Sequence, residues 1–373
     1  MKIFTVDKIV DRATLLMTPL LGNTKAHDLP FHIEKDKWEQ VLSPSEADVI
    51  PVLSAPFFYN GNEITIKDQL NYIQSLKPNQ WLVLMFHTHA SDDMNNYPKC
   101  LKIEEYYEYH KNIILVDLNR KTEGPNFIFN DFCFNLVKVY FTEYDNFDLH
   151  LRLWTGCCTK KSFTLHEIKE FNWTKRFLVP NIIRNTHEFK EFARARIKNE
   201  IIDPNDCFYS DVESRTALDQ EEINPDIKIP DAPLGVGITP IASRYFNQSA
   251  VSVYAETVCT EKTGVHVISE KTFIPLVRGH YILPFGYRGL IDDLKLYDFK
   301  FPDWIDYSYD KIFNNEKRLE AYLESVKKIR ALSYEELTYN ANRDIELLKH
   351  NRNVFFTRSY DSLYDKIQAI VNQ

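Results

Sequence analysis

Hydrophobic residues in the first half of the chain come in short unbroken runs: "KIFTV" (2–6), "DVIPVL" (48–53), "WLVLMF" (81–86) and "NIILVDL" (112–118). Runs of this length, separated by helix-length segments, mark strands buried on both faces of a parallel sheet. Between two of them Ile66, Leu70 and Ile73 repeat at helical spacing, with Thr65 as N-cap and Pro78 ending the pattern. This half is therefore expected to alternate β and α. "FIFNDFCFNLVKVYF" (127–141) reads as strand-rich but irregular. A second alternation starts at "RFLVPNII" (176–183), followed by a helix whose apolar face is Phe189, Phe192, Ala193 and Ile197. On that helix Lys190, Arg194 and Lys198 are expected to form a solvated stripe.

Residues 203–248 carry Pro204, Pro225, Pro230, Pro233 and Pro240 with many acids and little periodicity. A loop that long is usually functional, and a lid over a site is the expected role. The strand "AVSVYAET" (250–257) comes next. Near the end, Leu319, Tyr322, Leu323 and Val326 share a helical face, and Ser333 with Glu336 forms a capping box. Leu337, Ala341, Ile345 and Leu348 continue as one further helix, and Leu363, Ile367 and Ile370 mark a last one. No repeat of 20–50 residues is present, which removes solenoids and propellers. The expected fold class is α/β: two Rossmann-like doubly wound domains facing a cleft, at residues 1–165 and 166–373, with a helical C-terminal tail that crosses back.

Composition narrows the picture. The chain has 373 residues, 44% hydrophobic and 26% charged, and no run reaches the roughly 18 apolar residues of a membrane span. "MKIFTVDKIV" reads as a first strand and not as a secretory leader. The six cysteines have neither zinc spacing nor a compact disulfide framework, so reduced thiols and a cytoplasmic location are expected. A net charge of −8 argues against a surface built mainly to neutralise phosphates, while leaving room for a local basic groove. Abundant Asn, Lys, Ile and Tyr suggest an AT-rich coding genome, viral or bacterial, with the host cytoplasm as the location if viral.

The stretch "VISEKTFIPLVRGHYILPFG" (267–286) carries the candidate chemistry. Ligands of open parallel sheets bind at the carboxyl ends of strands, where the next helix presents free N–H groups. Ser269 can cap that helix, Glu270 offers a carboxylate for vicinal hydroxyls, and Lys271 offers a point charge for a phosphate. Pro275 suggests that regular helix starts no earlier than about Thr272, and Gly279 ends it. The same residues also make an ordinary helix start. "VSVYAET", this stretch and "LIDDLKLYDFKFPDWIDYSYD", followed by His350 and Asn351, together resemble the donor-binding half of GT-B type glycosyltransferases. The fucosyltransferase-like and exostosin-like groups and their phage and bacterial relatives are the nearest in pattern, over about residues 176–355.

The resemblance implies a nucleoside-diphosphate sugar as co-substrate, Glu270 on the ribose and Lys271 at the diphosphate, with Ser269, Thr272 and Glu256 lining the site. It also implies a basic residue on the phosphates, for which Arg184 and Arg176 are the candidates. No DxD motif is evident, so no metal and no further cofactor are expected. "FHTHASDD" (86–93) follows a strong strand, and His87 or Asp92 could deprotonate the acceptor hydroxyl. His87 and His89 also admit a metal-dependent hydrolase, given further ligands at other strand ends. "WTGCCTKK" (154–161) could touch an extended acceptor. The expected activity is hexosyl or pentosyl transfer to a hydroxyl on a glycan or on a hydroxymethylated base in phage DNA. A non-catalytic nucleotide-sugar-binding module is the alternative from another class.

Overall fold

The apolar runs become strands in a computed structural model that describes residues 1–4, 37, 39–41, 43–53, 58–59, 62–63, 74, 76–86, 110–117, 126–129, 131–142, 165–169, 171, 173–180, 188–210, 243–256, 258–259, 266–358 and 362–373. The helix expected over 66–73, the 154–161 segment and most of the proline-rich loop lie outside them. Contacts gather into two units, Met1–Phe132 with Tyr360–Gln373, and Cys133–Ser359.

In the first unit β1 (Lys2–Phe4), β2 (Glu39–Val41), β3 (Val49–Leu53), β6 (Trp81–Phe86), β7 (Ile113–Asp117) and β8 (Phe127–Phe129) form a parallel sheet in the order β2-β1-β3-β6-β7-β8. A two-stranded antiparallel pair, β4 (Phe58–Tyr59) and β5 (Asn62–Glu63), interrupts the series. Placing β1 inside the sheet, with later strands to one side and β2 to the other, is the doubly wound order. The apolar runs are continuous because both faces are covered: Val83, Ile114 and Val116 are fully buried.

The segment expected as irregular strand resolves differently. Phe127–Phe129 is β8, and Phe132–Thr142 is a helix, α1. Asn135, Lys138 and Thr142 recur at i, i+3 and i+7, the helical spacing, but the eight apolar residues around them read equally well as strand. Burial decides it, because Phe134 stacks on Phe355 at 4.9 Å and meets Phe273 edge-on at 5.5 Å. Such pairs contribute about 0.5–1.5 kcal/mol each beyond their buried area.

The second unit continues with β9 (Lys175–Pro180), α2 (Glu188–Ile201), β10 (Cys207–Ser210), α3 (Ser243–Gln248), β11 (Ser249–Ala255), α4 (Glu270–Val277), β12 (Tyr281–Phe285), α5 (Leu290–Lys295), a 3₁₀ turn (Ser308–Lys311), α6 (Asn315–Ala331), α7 (Tyr334–Arg343) and α8 (Ile345–Thr357). Its parallel sheet runs β10-β9-β11-β12, again doubly wound, with the reversal of direction between β9 and β11. Ala193 and Ile197 of α2 and Leu319, Tyr322 and Val326 of α6 are buried in the same core as Phe177, Val253 and Phe285 of the sheet. Arg194 is buried rather than solvated, at 8% exposure, because it borders that packed stripe.

β12 is an edge strand, which explains why it tolerates Pro284. Tyr307 and Tyr309 donate to the carbonyls of Ile282 and Pro284, at 2.9 and 2.7 Å, and occupy acceptors that a foreign strand would otherwise use. The tail expected as one helix over 337–348 is two, broken at Asp344, whose carboxylate accepts from Trp304 Nε1 at 2.9 Å and Arg343 Nε at 3.1 Å. Asn351 clamps Lys300 through both backbone groups, and His350 bonds the carbonyl of Asp298. The final helix, α9 (Leu363–Val371), belongs to the first unit. Its Leu363 and Ile367 pack with Ile3, Val49, Val83 and Ile128.

Gly279 follows α4 with φ +72, and a Cβ there would lie 2.2 Å from Ile168 Cδ1. Gly289 has φ +89 with nothing within 4 Å of that position. Gly279→Ala should therefore destabilise by about 2 kcal/mol or more, and Gly289→Ala by only the left-handed backbone cost of about 1 kcal/mol. Urea denaturation of the two variants checks the ranking, and equal losses would contradict it.

Candidate functional site

At the carboxyl end of β11, beside the reversal point of the sheet, the chain turns into α4 over Glu256. That side chain is fully buried, and three groups of the helix entrance hold its carboxylate. Ser269 Oγ donates to Oε2 at 2.6 Å, while Ser269 N and Thr272 Oγ1 donate to Oε1 at 3.3 and 2.5 Å. Tyr254 OH donates in turn to Thr272 Oγ1 at 2.9 Å. Ser269 also caps the helix, its Oγ accepting from Lys271 N at 3.3 Å. The helix consequently begins at Glu270, two residues earlier than Pro275 suggests, because the anchored entrance outweighs the one helical bond that proline removes. Its far end is fixed by Arg352, which donates to the carbonyls of Val277 and Arg278 at 3.0 and 2.7 Å.

Fixing both ends of α4 sets the direction of Glu270 and Lys271, whose side chains are 28% and 22% exposed and pair at 3.2 Å. Burial works against the Lys271 charge, but the carboxylates of Glu270 and Glu256 outweigh it and hold its pKa above the ordinary lysine value. Arg194 on α2 is near enough to push that pKa the other way. Lys271, the partly exposed Glu270 carboxylate and the positive end of the α4 dipole thus stand at one edge with the buried Arg194 nearby, a combination suited to an anion carrying neighbouring hydroxyls.

Ser269, Thr272 and Glu256 are brought together as expected of neighbours, but their polar atoms face one another and act as an internal brace. Arg176 is elsewhere: it is the second residue of β9, at the amino-terminal end, ion-paired with Asp206, bonded to the carbonyl of Leu332 and lying 4.8 Å from the centre of the Tyr334 ring. That position is the opposite end of the sheet from Glu270 and Lys271. Arg184, His87, His89 and Asp92 lie outside the described residues. Among the described residues no group of three or more His, Cys, Asp or Glu is placed to hold a metal, and no helix is long and apolar enough to cross a membrane.

Two supporting groups carry no motif. Arg318, fully buried on α6, bonds the carbonyls of Gly286 and Cys259 and so ties the turns that follow β12 and β11. Asp310, 2% exposed, caps α5 by accepting from Ile291 N at 3.1 Å. Burial raises its pKa to about 6, against backbone bonds and the Arg318 charge that favour the carboxylate. Neither is signalled by its neighbours, since Asp310 stands beside Lys311 and Arg318 beside Lys317, and the contacts of both reach segments far off in sequence.

No protein-family model matches the chain, and no curated protein is similar to it in sequence. Solved structures that align with it include an alpha-glucosyltransferase in complex with UDP-glucose and DNA containing an abasic site, at 11% identity over 100% of this chain and 98% of that one, with a TM-score of 0.44. An alpha-glucosyltransferase in complex with UDP aligns at 11% identity over 100% and 99%, with a TM-score of 0.46. A third, in complex with UDP and a 13-mer DNA containing a central A:G mismatch, aligns at 13% identity over 100% and 99%, with a TM-score of 0.45. Scores this low at such identity carry no argument for a shared fold or activity.

Glu256→Ala would leave the Ser269 and Thr272 hydroxyls without their acceptor and should cost about 3 kcal/mol in urea denaturation. A change within a few tenths of a kcal/mol would remove the brace. For Asp310 the folded pKa of about 6 lies above the ordinary 3.8, so its stabilising contribution is complete below about pH 4 and is lost as pH rises through 6. Asp310→Asn keeps an acceptor but cannot ionise, and should gain on wild type by about 3 kcal/mol between about pH 4 and pH 7. Denaturation midpoints of both proteins across that range test this, and parallel profiles would refute it.

Proposed function

We propose that the chain is a GT-B type glycosyltransferase that moves a sugar from a nucleoside diphosphate to a hydroxyl. The observation that carries the reading is the Glu270–Lys271 pair at the start of an eight-residue helix, at the carboxyl edge of a doubly wound parallel sheet. Glu270 accepts from the two ribose hydroxyls, which a single carboxylate can meet with both oxygens. Lys271 takes the diphosphate, assisted by the positive end of the α4 dipole and by the nearby charge of Arg194. As the bond between sugar and phosphate breaks, negative charge grows on the leaving diphosphate, and fixed positive groups stabilise that charge more than the ground state. In this reading fixed cations take the part a metal would otherwise play.

Glu256, Ser269 and Thr272 then act as positioning residues, holding the helix entrance so that little reorganisation accompanies binding. The acceptor oxygen loses its proton to His87 or Asp92. The acceptor is a hydroxyl of a glycan or of a hydroxymethylated base in DNA. The second requires a basic surface on a chain of net −8 and a base turned out of the stack. Salt-sensitive retention on duplex DNA separates the two acceptors.

The test is a thermal-shift and calorimetry panel of UDP-, GDP-, CMP- and dTDP-sugars. One donor should raise the melting temperature. Glu270→Ala should weaken that donor by about 1.5–3 kcal/mol, and Lys271→Ala should weaken the donor and the free nucleoside diphosphate alike. Unchanged donor affinity in Glu270→Ala would end the ribose assignment.

A further inference from the structure

The second unit also carries an open groove of about 510 Å³ at the other end of its sheet. Four rings line it: Phe171 and Trp173, which precede β9, and Tyr334 and Tyr339 on α7. Glu335, Thr338 and Asn342, also on α7, complete the lining. The groove lies at the amino-terminal end of β9, whereas Glu270 and Lys271 follow the carboxyl end of β11, which runs parallel to it. The two places are therefore separate. We infer that this groove binds a neutral oligosaccharide.

The walls are preorganised. Phe171 and Trp173 pack with ring centroids 4.8 Å apart, and Thr174 N bonds Gln248 O at 2.9 Å where β9 begins. Tyr334 has the Arg176 guanidinium 4.8 Å from its ring centre and its hydroxyl 3.4 Å from Asp206. The capping box of Ser333 and Glu336 fixes the start of α7. Phe171, Trp173 and Tyr334 are therefore held before a ligand enters, which lowers the ordering cost of binding. Tyr339 and Tyr334 are nonetheless 69% and 38% exposed, and neighbouring exposed aromatics mark recognition surfaces.

Ligand chemistry follows from the lining. Sugar rings present flat C–H faces bordered by hydroxyls, and the groove offers aromatic faces bordered by hydrogen-bonding groups. Thr338 and Asn342 stand one helical turn apart, about 6 Å; the Thr338 hydroxyl donates to Tyr334 O at 2.8 Å and is left to accept, while the Asn342 amide can donate and accept. Glu335, the only carboxylate among the lining residues, accepts from hydroxyls but repels phosphates, which counts against nucleotides and nucleic acid.

The inference stands apart from the donor reading and is tested on the full chain with maltohexaose, cellohexaose and chitohexaose as probes, by calorimetry. At least one should bind. Tyr339→Ala, a change at an exposed ring, should weaken it on the order of tenfold, with Tyr339→Trp restoring affinity. Both variants should keep the wild-type melting temperature and any wild-type response to nucleotide sugars. Failure of all three probes, equal binding by Tyr339→Ala, or displacement of the bound sugar by a single-stranded oligonucleotide would overturn the inference. So would Tyr339-dependent self-association that blocks the probes. Oligosaccharide binding without any donor response would uphold the groove while removing the transferase reading.

Discussion

A buried carboxylate is costly unless every lone pair it turns inward is met, and the second unit is organised around one that is. Glu256 ends the central strand of the sheet and receives two hydroxyls and a backbone N–H from the start of the next helix. The helix can begin in one place only, because sliding it by a residue would leave the carboxylate without Ser269 and Thr272. Everything displayed at that edge inherits its position from this contact. Glu270 and Lys271 project from the first turn, and Arg352 holds the opposite end of the same eight residues.

Electrostatics at the edge follows the same arrangement. Lys271 keeps its charge against burial because two carboxylates stand near it, while Arg194 supplies a second positive centre. The site holds opposite charges in partial balance, which limits the desolvation cost of keeping them there without a ligand. Arg318 and Asp310 extend the support outward, one tying adjacent turns by their carbonyls and the other capping α5.

Much of the frame is visible in the bare sequence, for reasons tied to particular residues. Buried parallel strands must be apolar on both sides, so "WLVLMF" and "NIILVDL" stand out. Ser333 with Glu336 announces a helix start, and Gly279 announces a stop that only a left-handed residue makes easily. Phe132–Thr142 is hard to read because eight of its eleven residues are apolar and mask the helical spacing of Asn135, Lys138 and Thr142. The partners of Arg176 at the start of β9 are hidden because a strand shows its residue types but not what meets each end, and Arg194 misleads because its helical spacing matches a solvated stripe. The inward turn of Glu256 is equally hidden, since an acid after a strand reads the same whether it faces a ligand or its own chain. The stretch 267–286 shows its residues and their order, and tertiary contact alone separates the brace from the groups left facing outward.

The placement of α9 has a consequence for biosynthesis. Leu363 and Ile367 complete the core made by Ile3, Val49 and Val83, yet they are translated after every residue of the second unit. The amino-terminal half emerges first and must wait, its apolar strands lacking one wall, until α9 leaves the ribosome. The later-made unit is the first whose full set of core residues exists, reversing the usual order in which domains mature on the ribosome.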